Sequence, residues 1–579
     1  MNSKVLFILA VLLTGCTSLL SGERYGSVSN SDQLITPGSI FLQSGNLNTV
    51  FRNDGIFNYD KTTFSSATAG LVWPVSSVTR LSPMYSSGLI IGGKYNLSPG
   101  VKELRLAASF YSTHYSPGNI PVIGQVPPVS VCNDSVFKGY LVSVTDPSLV
   151  NGGLRTKVAG GRTYNFNYSP WSAWPVSLGA PYVEVNGIPG YQPGWNEDRP
   201  GTGNGNARPS EMIFTVFMDY TNCTNGTHVS ELSLPGGTLP LGVEIQQLSY
   251  AFDIEGFRDS YFVRYKIINK SAKTWDSTYI GLINDADLGD PNDDAIGCDS
   301  TKNIGYTYNF DNSDVEYGVA PPAIGCKVLQ GPVVYTGLNS DTAFLPCNTL
   351  VGYKMRMMSG HSGFLNGSSQ CTGDPDDAAS AFNYLRGMDG CGNPQINYVT
   401  GNTTRFRYSG NACFLLGWYD STSGDKRNMV NIGPFNMNSG DTQVVVYLYT
   451  IAKGVHNRAS VCDLLNVTDN IAGYYRNCFN LIGIAPIGSI VPEKFGLSQN
   501  YPNPFNPVTN IQFEVPKQGM VKLLVFDALG REITALVNQN MDAGSYKVDW
   551  DAAEYPSGIY FYRLESGDFT QTRKMILIK

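Results

Sequence analysis

The chain has 579 residues, which is too long for one ordinary domain and leads us to expect at most about three or four folded units. Glycine (62), tyrosine (34) and phenylalanine (27) are abundant, whereas charged residues make up only 15%, a balance typical of all-β proteins. The net charge is −7 and no run of lysine and arginine occurs, which argues against nucleic acid as a partner because phosphate binding needs clustered cations.

The N-terminal residues 1–16 have the pattern of an export signal. Lys4 supplies a positive charge, and the apolar residues 5–13 follow it. A stretch this short is typical of a secretory signal peptide, since a membrane-spanning helix needs about 20 residues. Leu13-Thr14-Gly15-Cys16 resembles a bacterial lipobox, which implies that Cys16 becomes the lipidated first residue of the mature chain. The alternative is an ordinary signal peptide with a chance cysteine. We expect a flexible segment over residues 17–30.

Residues 31–484 form a large middle region, where short strands between frequent turns predict a large antiparallel β-sandwich with few short helices. Residues 212–218 are mostly apolar and predict a buried strand, whereas the alternation over residues 261–267 predicts a strand with one exposed face. The sequence changes near residue 245 from a Gly/Pro-rich half to a half with more regular strand patterns. This change predicts two β-rich domains, 31–245 and 246–484. The second of these domains contains an acidic loop.

Two helices are expected in the second domain, at residues 376–385 and 458–479. Asp376 and Asp377 suit the start of the first helix, because negative charge is favourable at a helix N-terminus. If the second stretch is one straight helix, Cys462 and Cys478 lie about 24 Å apart and are too distant to bond to each other. A break near residues 466–469 would remove this restriction.

Ten cysteines follow Cys16, an even number that predicts disulfides in an exported chain. None lies in a CxxC pair, which argues against a zinc site or a thioredoxin-like redox site. Spacing alone does not define the pairing, although a bond between Cys298 and Cys326 would close a short loop. The ten are Cys132, Cys223, Cys298, Cys326, Cys347, Cys371, Cys391, Cys413, Cys462 and Cys478.

An acidic stretch over residues 284–299 is the strongest candidate for a ligand site. Its carboxylates repel one another unless they are solvated or neutralised, and Ca²⁺ takes about six to eight oxygen ligands from flexible acidic loops. The spacing is not that of an EF-hand. The alternative is a solvated turn, because Asp, Asn, Gly and Pro are turn-forming residues. The predicted metal ligands are Asp285, Asp287, Asp290, Asp293, Asp294 and Asp299.

Recognisable catalytic motifs do not occur in the sequence, which has only four histidines. Gly360-His361-Ser362-Gly363 differs in spacing from a GxSxG nucleophile elbow, and the HExxH, Walker and Rossmann patterns are missing. We interpret His361 as an exposed polar residue. We predict no catalytic and no cofactor-binding residues on this basis.

The sequence pattern changes after a Pro/Gly-containing linker, which we predict at residues 485–496. Residues 497–507 are dense in proline, which fixes φ and removes a hydrogen-bond donor, so they predict a turn segment. Short strands follow, among them residues 511–515, 521–526 and 559–564. About six or seven strands within roughly 80 residues predict a small β-sandwich.

Four segments of this C-terminal domain resemble the type A sorting domain of type IX secretion substrates: LSQNYPNPFNP, VKLLVFDALGREI, GSYKVDWDA and SGIYFYRLESGDFTQTRKMILIK. The resemblance covers residues 497–579. It implies an Ig-like sandwich that the outer-membrane translocon recognises and its sortase removes, with the cargo released or attached to surface lipopolysaccharide. It also implies a location outside a Gram-negative cell or on its outer surface. The alternative is a plain Ig-like module without a sorting role. A lipidated Cys16 would be atypical of this family.

Parts of the middle region, such as residues 86–93 and 285–299, resemble secreted proteins of unknown function that share this sorting domain, and this resemblance implies no activity. The sequence favours a non-enzymatic structural or adhesion-type protein, stiffened by disulfides and Ca²⁺, with self-assembly or other surface proteins as its interactions. The alternative is a secreted hydrolase or glycan-binding protein whose site residues are dispersed along the chain.

Overall fold

The computed structural model describes residues 38–61, 68–185, 188–193, 208–231, 234–346, 348–367, 369, 371–476, 479, 485–488, 492–517, 519–541, 543–552 and 555–579. The predicted signal peptide with Cys16 and the predicted segment 17–30 lie outside the described residues, as do Cys347 and Cys478. Within the described ranges, no helix is long and apolar enough to cross a membrane.

Two antiparallel sheets form one large sandwich. Its strands are, in chain order, β1 (Ser39–Ser44), β2 (Leu47–Arg52), β3 (Ile56–Phe57), β4 (Ser86–Ser98), β5 (Val101–Ala108), β6 (Ser116–Pro117), β7 (Tyr140–Ser143), β8 (Glu211–Met218), β9 (Val243–Ala251), β10 (Ser260–Asn269), β11 (Trp275–Asp285), β12 (Asp294–Asp299), β13 (Ile304–Asn309), β14 (Ala323–Gln330), β15 (Met358–Leu365), β16 (Lys426–Met437) and β17 (Thr442–Ala452). Sheet 1 has the order β1-β2-β3-β4-β11-β16-β15, and β5 also pairs with β4. Sheet 2 has the order β12-β13-β14-β17-β10-β9-β8-β6, and β7 also pairs with β8.

In the part of the chain that the structure describes, three α-helices and several small hairpins accompany the sheets. The helices are α1 (Val129–Cys132), α2 (Ala378–Leu385) and α3 (Asn457–Arg476). The paired hairpin strands are Tyr59–Asp60 with Thr68–Ala69, Gly153–Ala159 with Arg162–Tyr168, Tyr182–Val185 with Ile188–Pro193, Ser313–Asp314 with Gly318–Val319, Val333–Tyr335 with Tyr353–Met355, Thr342–Leu345 with Asn348–Val351, and Gln395–Ile396 with Thr403–Thr404.

Strand β10 shows how the layers are arranged. Val263, Tyr265 and Ile267 alternate along the strand and face the core between the two sheets. The opposite face is also buried, because Phe262 packs in a second core together with Tyr475 of α3. The prediction of a half-exposed strand over residues 261–267 is therefore wrong, since α3 covers the outer face of sheet 2.

Helix α2 covers the outer face of sheet 1, where Phe382 and Leu385 pack against strand residues. The helix begins as predicted after Asp377, whose carboxylate accepts a hydrogen bond from the Ser380 N–H at 2.7 Å. Helix α3 runs without the break that residues 466–469 suggested.

The two-domain division of the middle region at residue 245 is wrong. Strand β9 crosses this position and pairs with β8 on one side and β10 on the other. In sheet 1, β4 of the first half pairs with β11 of the second half. Because both sheets contain strands from both halves, the described residues between 38 and 476 share one sandwich.

Three disulfides join described residues: Cys132–Cys223, Cys371–Cys391 and Cys413–Cys462. The predicted Cys298–Cys326 bond is wrong, since both cysteines are free and buried. Both cysteines pair with Gly305 of the intervening strand β13. Two strand spacings separate them by about 10 Å, well beyond the Cα distance that a disulfide spans.

A buried hydrogen-bond network joins the two sheets. Asn284 Oδ1 of sheet 1 accepts from Tyr449 of sheet 2 at 2.6 Å and from Ser87 at 3.1 Å. Asn58 Nδ2 donates to Tyr261 at 2.8 Å and to Ser87 at 3.0 Å. Buried polar groups need such partners, so this network fixes how the two sheets are placed against each other.

The C-terminal region is a second, smaller antiparallel sandwich. Its strands are β18 (Ala485–Gly488), β19 (Gly496–Leu497), β20 (Val508–Val515), β21 (Gly519–Phe526), β22 (Glu532–Met541), β23 (Gly544–Asp551), β24 (Gly558–Ser566) and β25 (Phe569–Leu577). The sheets have the orders β18-β23-β20-β19 and β22-β21-β24-β25, and they share one apolar core. Because β18 pairs with β23, residues 485–488 belong to this sandwich and not to a linker.

Candidate functional site

Three carboxylates converge at one end of sheet 1, and we call Asp285, Asp287 and Asp425 the acidic site. Asp285 is the last residue of β11, and Asp287 follows in a turn with a left-handed φ of 37°. Asp425 immediately precedes β16. One oxygen of each carboxylate lies within 4.8 Å of the others. Asp285 is buried, whereas Asp287 and Asp425 are partly exposed, so the site is open to solvent on one side.

Arg427 of β16 is the cation that faces these carboxylates. Its Nη1 lies 3.0 Å from Asp425 Oδ1, and its Nε lies 3.4 Å from Asp285 Oδ1 and 3.7 Å from Asp374 Oδ1. Arg427 also donates from Nη2 to the Tyr111 hydroxyl at 3.1 Å, and that hydroxyl donates to Asp285 Oδ2. One guanidinium therefore lies within 4.0 Å of three carboxyl groups and also acts on the nearby Asp287, which leaves an excess of negative charge in a partly buried place.

The electrostatic result is a set of raised pKa values. Burial, together with the neighbouring Asp287, raises the pKa of Asp285 well above its ordinary value, although Arg427 opposes this shift. Burial and then Asp425 raise the pKa of Asp287 from 3.8 to about 6. Burial and Asp285 raise the pKa of Tyr111, which therefore stays protonated. A bound cation would supply the positive charge that these carboxylates lack.

Three tyrosines form one wall of the acidic site. Tyr59, Tyr85 and Tyr111 pack against one another, with ring centroids 5.4–6.0 Å apart. Burial, followed by Asp287 and Asp285, raises the pKa of Tyr85. The aromatic wall lowers the local dielectric constant, which strengthens the repulsion between the carboxylates beside it.

The structure brings together only Asp285 and Asp287 of the six predicted ligands. Asp294 is buried and accepts the Leu288 N–H at 3.2 Å through Oδ2. Asp299 closes a turn by accepting the Thr301 and Lys302 N–H groups, at 2.9 and 3.1 Å.

Asp290 and Asp293 lie with Asp314, in a group apart from the acidic site. The Asp290 N–H donates to Asp314 Oδ2 at 2.9 Å, and Asn309 Nδ2 donates to Asp293 Oδ1 at 2.6 Å. Burial and then Asp314 raise the pKa of Asp293 from 3.8 to about 7.

The sequence did not reveal Asp425, Arg427 or Tyr111 as members of the site. Asp425 and Arg427 flank Lys426 at an ordinary turn into a strand, and Tyr111 follows strand β5. Asp425 and Arg427 meet Asp285 because β16 pairs with β11, with Arg427 directly opposite Asp285. Tyr111 reaches Asp285 Oδ2 from beyond the end of β5 through its hydroxyl. No local spacing signals such a contact.

His361 is buried, so its interpretation as an exposed polar residue is wrong. Its Nδ1 lies 2.8 Å from the Arg407 carbonyl oxygen, and burial lowers its pKa to about 4. His114 and His228 are buried as well, and their rings stack at 4.2 Å. These three side chains take part in internal packing.

Residues 499–579 match the family described as the secretion system C-terminal sorting domain. The chain is a substrate of the type IX secretion system. Its C-terminal domain therefore interacts with the type IX secretion machinery, and the protein is exported to the outer surface of a Gram-negative bacterium or beyond it.

The comparisons with other known proteins give no further identification. No curated protein matches the chain. A polysaccharide lyase of known structure is 9% identical with a TM-score of 0.19, and the match covers 85% of this chain and 46% of the lyase. PorZ, a surface component of the type IX secretion system of Porphyromonas gingivalis, is 12% identical with a TM-score of 0.14, and that match covers 94% of this chain and 75% of PorZ. Neither similarity carries an argument at these TM-scores.

Proposed function

We propose that the exported protein is a non-enzymatic scaffold of adhesion type, whose large sandwich holds Ca²⁺ at the acidic site. The observation that carries this proposal is the convergence of Asp285, Asp287 and Asp425 within 4.8 Å of one another. Ca²⁺ prefers carboxylate oxygens and accepts irregular geometry, so three carboxylates on one strand end and two turns suit it. The disulfides support a stiffened extracellular role, since they persist in oxidising surroundings.

Ca²⁺ would stabilise the fold by holding three separate elements together. Asp285 ends β11, Asp287 lies in the following turn, and Asp425 lies in the turn before β16. A cation that binds only the folded state raises its stability by about 2.7 kcal/mol when present at a hundredfold excess over Kd. The scaffold would then be stiffest where extracellular Ca²⁺ is available.

A Ca²⁺ titration followed by thermal melting tests this proposal. We expect Ca²⁺ to raise the melting temperature of the full-length protein and EDTA to reverse the rise. Asp425→Asn should abolish most of the rise, because it keeps the side-chain shape and removes a ligand charge. Asp299→Asn serves as the matched control, since Asp299 caps a turn away from the acidic site. An unchanged melting temperature for the wild type, or a full Ca²⁺ response in Asp425→Asn, would contradict the proposal.

We further propose that residues 1–16 contain a signal peptide that is cleaved before a lipidated Cys16, and that an Ig-like sorting domain is removed by the sortase during export. Surface lipopolysaccharide is the proposed attachment point. Mass spectrometry of both mature termini in fractionated host cells tests these steps. We expect the mature chain to end before the sorting domain. An acylated Cys16 in a membrane fraction, with residues 497–579 still attached, would contradict removal on export, and an unmodified N-terminus would contradict lipidation.

A further inference from the structure

A cleft lies on the outer face of sheet 1, beside the C-terminal end of α2. Its volume is about 470 Å³, within the range of about 300–1,000 Å³ that is usual for small-molecule sites. The residues that line it are Lys94, Gly100, Lys102, Leu104, Phe382 and Arg386. Three of these six residues are cationic, in a chain whose net charge is −7.

The register of the β4–β5 hairpin separates the charges onto two faces. Lys94 lies opposite Leu104, and Asn96 lies opposite Lys102, so the side chains at these positions share one face. Leu104 packs against the core that contains Phe382, which identifies this face as the one under α2. The intervening residue Glu103 belongs to the other face.

Glu103 is already paired on that other face. The guanidinium of Arg105 lies 3.7 Å from the ring centre of Tyr95, and it donates to Glu103 at 3.1 Å. The hairpin therefore keeps its carboxylate away from the cleft. The carboxylates at the start of α2, Asp376 and Asp377, lie at the opposite end of a helix that is about 12 Å long.

Of the three cations in the cleft, only Lys102 has a carboxylate partner among the described residues. Lys102 Nζ lies 2.7 Å from Asp276 Oδ2, and this contact lowers the pKa of Asp276. Among the described residues, no carboxylate oxygen lies within 4.0 Å of the charged nitrogens of Lys94 or Arg386. Lys94 and Arg386 therefore have no ion-pair partner among the described residues. Asp276 lies opposite Lys94 in the pairing of β11 with β4, but its carboxylate pairs with Lys102.

The remaining walls of the cleft are apolar. Phe382 is 7% exposed and Leu104 is partly buried, so only a small part of each side chain is accessible from the cleft. The helix can approach the sheet closely because Gly92 has no side chain: a Cβ there would lie 3.0 Å from Phe382. The cleft thus has an apolar floor beneath a pair of cations.

We propose that this cleft binds an acidic oligosaccharide, with Lys94 and Arg386 pairing with its carboxylate or sulfate groups and with Leu104 and Phe382 contacting a sugar ring. The volume suits a unit of about one or two sugar rings. Acidic polysaccharides are ligands that an exported protein meets outside the cell. No local sequence pattern indicates this site, because its cations come from three separate elements: β4, β5 and the end of α2.

Binding of the full-length protein to dextran sulfate and to carboxymethyl dextran tests the proposal, with neutral dextran and inorganic sulfate as the comparison ligands. We expect both charged polymers to bind and neutral dextran not to bind. The affinity should fall as salt is added, because ion pairs at a solvent-open site are screened. Equal binding of neutral dextran would overturn the proposal. Equal affinity for inorganic sulfate would overturn the assignment of a sugar and leave an anion site only.

The double variant Lys94→Ala/Arg386→Ala should bind the charged dextrans about tenfold more weakly, since it removes two charge-assisted contacts. The matched control Lys354→Ala/Lys453→Ala removes the same charge from exposed positions elsewhere and should bind like the wild type. Lys94→Gln, at an exposed strand position, provides a second variant if the double variant does not fold. Wild-type affinity in both Lys94 variants, or an equal loss in the control, would overturn the proposal.

Discussion

Lys426→Met is expected to lower the free energy of unfolding of the large sandwich by about 3–5 kcal/mol. Lys426 Nζ lies 2.7 Å from Asp420 Oδ2, and the two side chains are 4% and 0% exposed. Asp420 Oδ2 also accepts the Ile296 N–H at 3.1 Å, which fixes the carboxylate in place. Removing the ammonium leaves a buried carboxylate without its counter-charge, and burial of an unpaired charge is one of the most destabilising changes in a protein.

Urea unfolding, monitored separately for the two sandwiches, measures this effect. The matched control is Lys327→Met, because the partner of Lys327 is Asp469, which is 32% exposed and also pairs with Lys302. The control should therefore lose much less free energy of unfolding. The double variant Lys426→Met/Asp420→Leu should recover a large part of the loss, since a buried ion pair and an apolar pair of similar volume are often equally stable. An equal loss of free energy of unfolding in Lys426→Met and Lys327→Met would contradict the importance of burying the Lys426–Asp420 pair.

Local sequence patterns correctly predicted those elements whose conformation and burial depend mainly on nearby residues. The apolar run at residues 212–218 is the buried strand β8, and Asp377 starts α2 as its charge suggested. The proline-dense segment and the alternating strands after it are the C-terminal sandwich. These features depend on bonds and contacts within a few residues, which periodicity and turn chemistry describe directly.

The errors have one physical origin, namely contacts between distant parts of the chain. Residues 261–267 alternate like a half-exposed strand, but α3 buries the second face. Cys298 and Cys326 are close in sequence, but β13 lies between them. Asp285 and Asp287 were found because they are neighbours in sequence, whereas Asp425 reaches them only through the pairing of β16 with β11. Sheet order is a global property that no local spacing encodes.

In the metal-free protein, the raised pKa values of acidic carboxyl groups are expected to favour the folded state more at pH 5 than at pH 8. The pKa of Asp287 rises from 3.8 to about 6 in the folded state, and that of Asp293 rises to about 7. At these two carboxyl groups the folded state therefore binds more protons than the unfolded state between about pH 4 and 7, and their contribution to stability falls as the pH rises through this window. The buried His114 and His361 act in the opposite sense, since burial lowers their pKa values to about 3 and about 4 and so favours the unfolded state at acidic pH. For Asp287 alone, a shift of about two units corresponds to about 3 kcal/mol.

Ca²⁺ should reverse this trend, because it binds deprotonated carboxylates and competes with protons for the acidic site. From pH 5 to 8 in EDTA, the melting temperature of the wild type should fall relative to that of Asp287→Asn, and the stabilisation by Ca²⁺ should grow over the same range. Asp287→Asn separates the two effects. Its side-chain amide does not titrate, so the variant should lack the Asp287 contribution to the pH dependence in EDTA, and it should weaken the Ca²⁺ response at pH 8. The same pH dependence of melting in the metal-free wild type and in metal-free Asp287→Asn would contradict the raised pKa of Asp287. A Ca²⁺ response independent of pH would place the ion away from Asp285 and Asp287, whose protons it must displace.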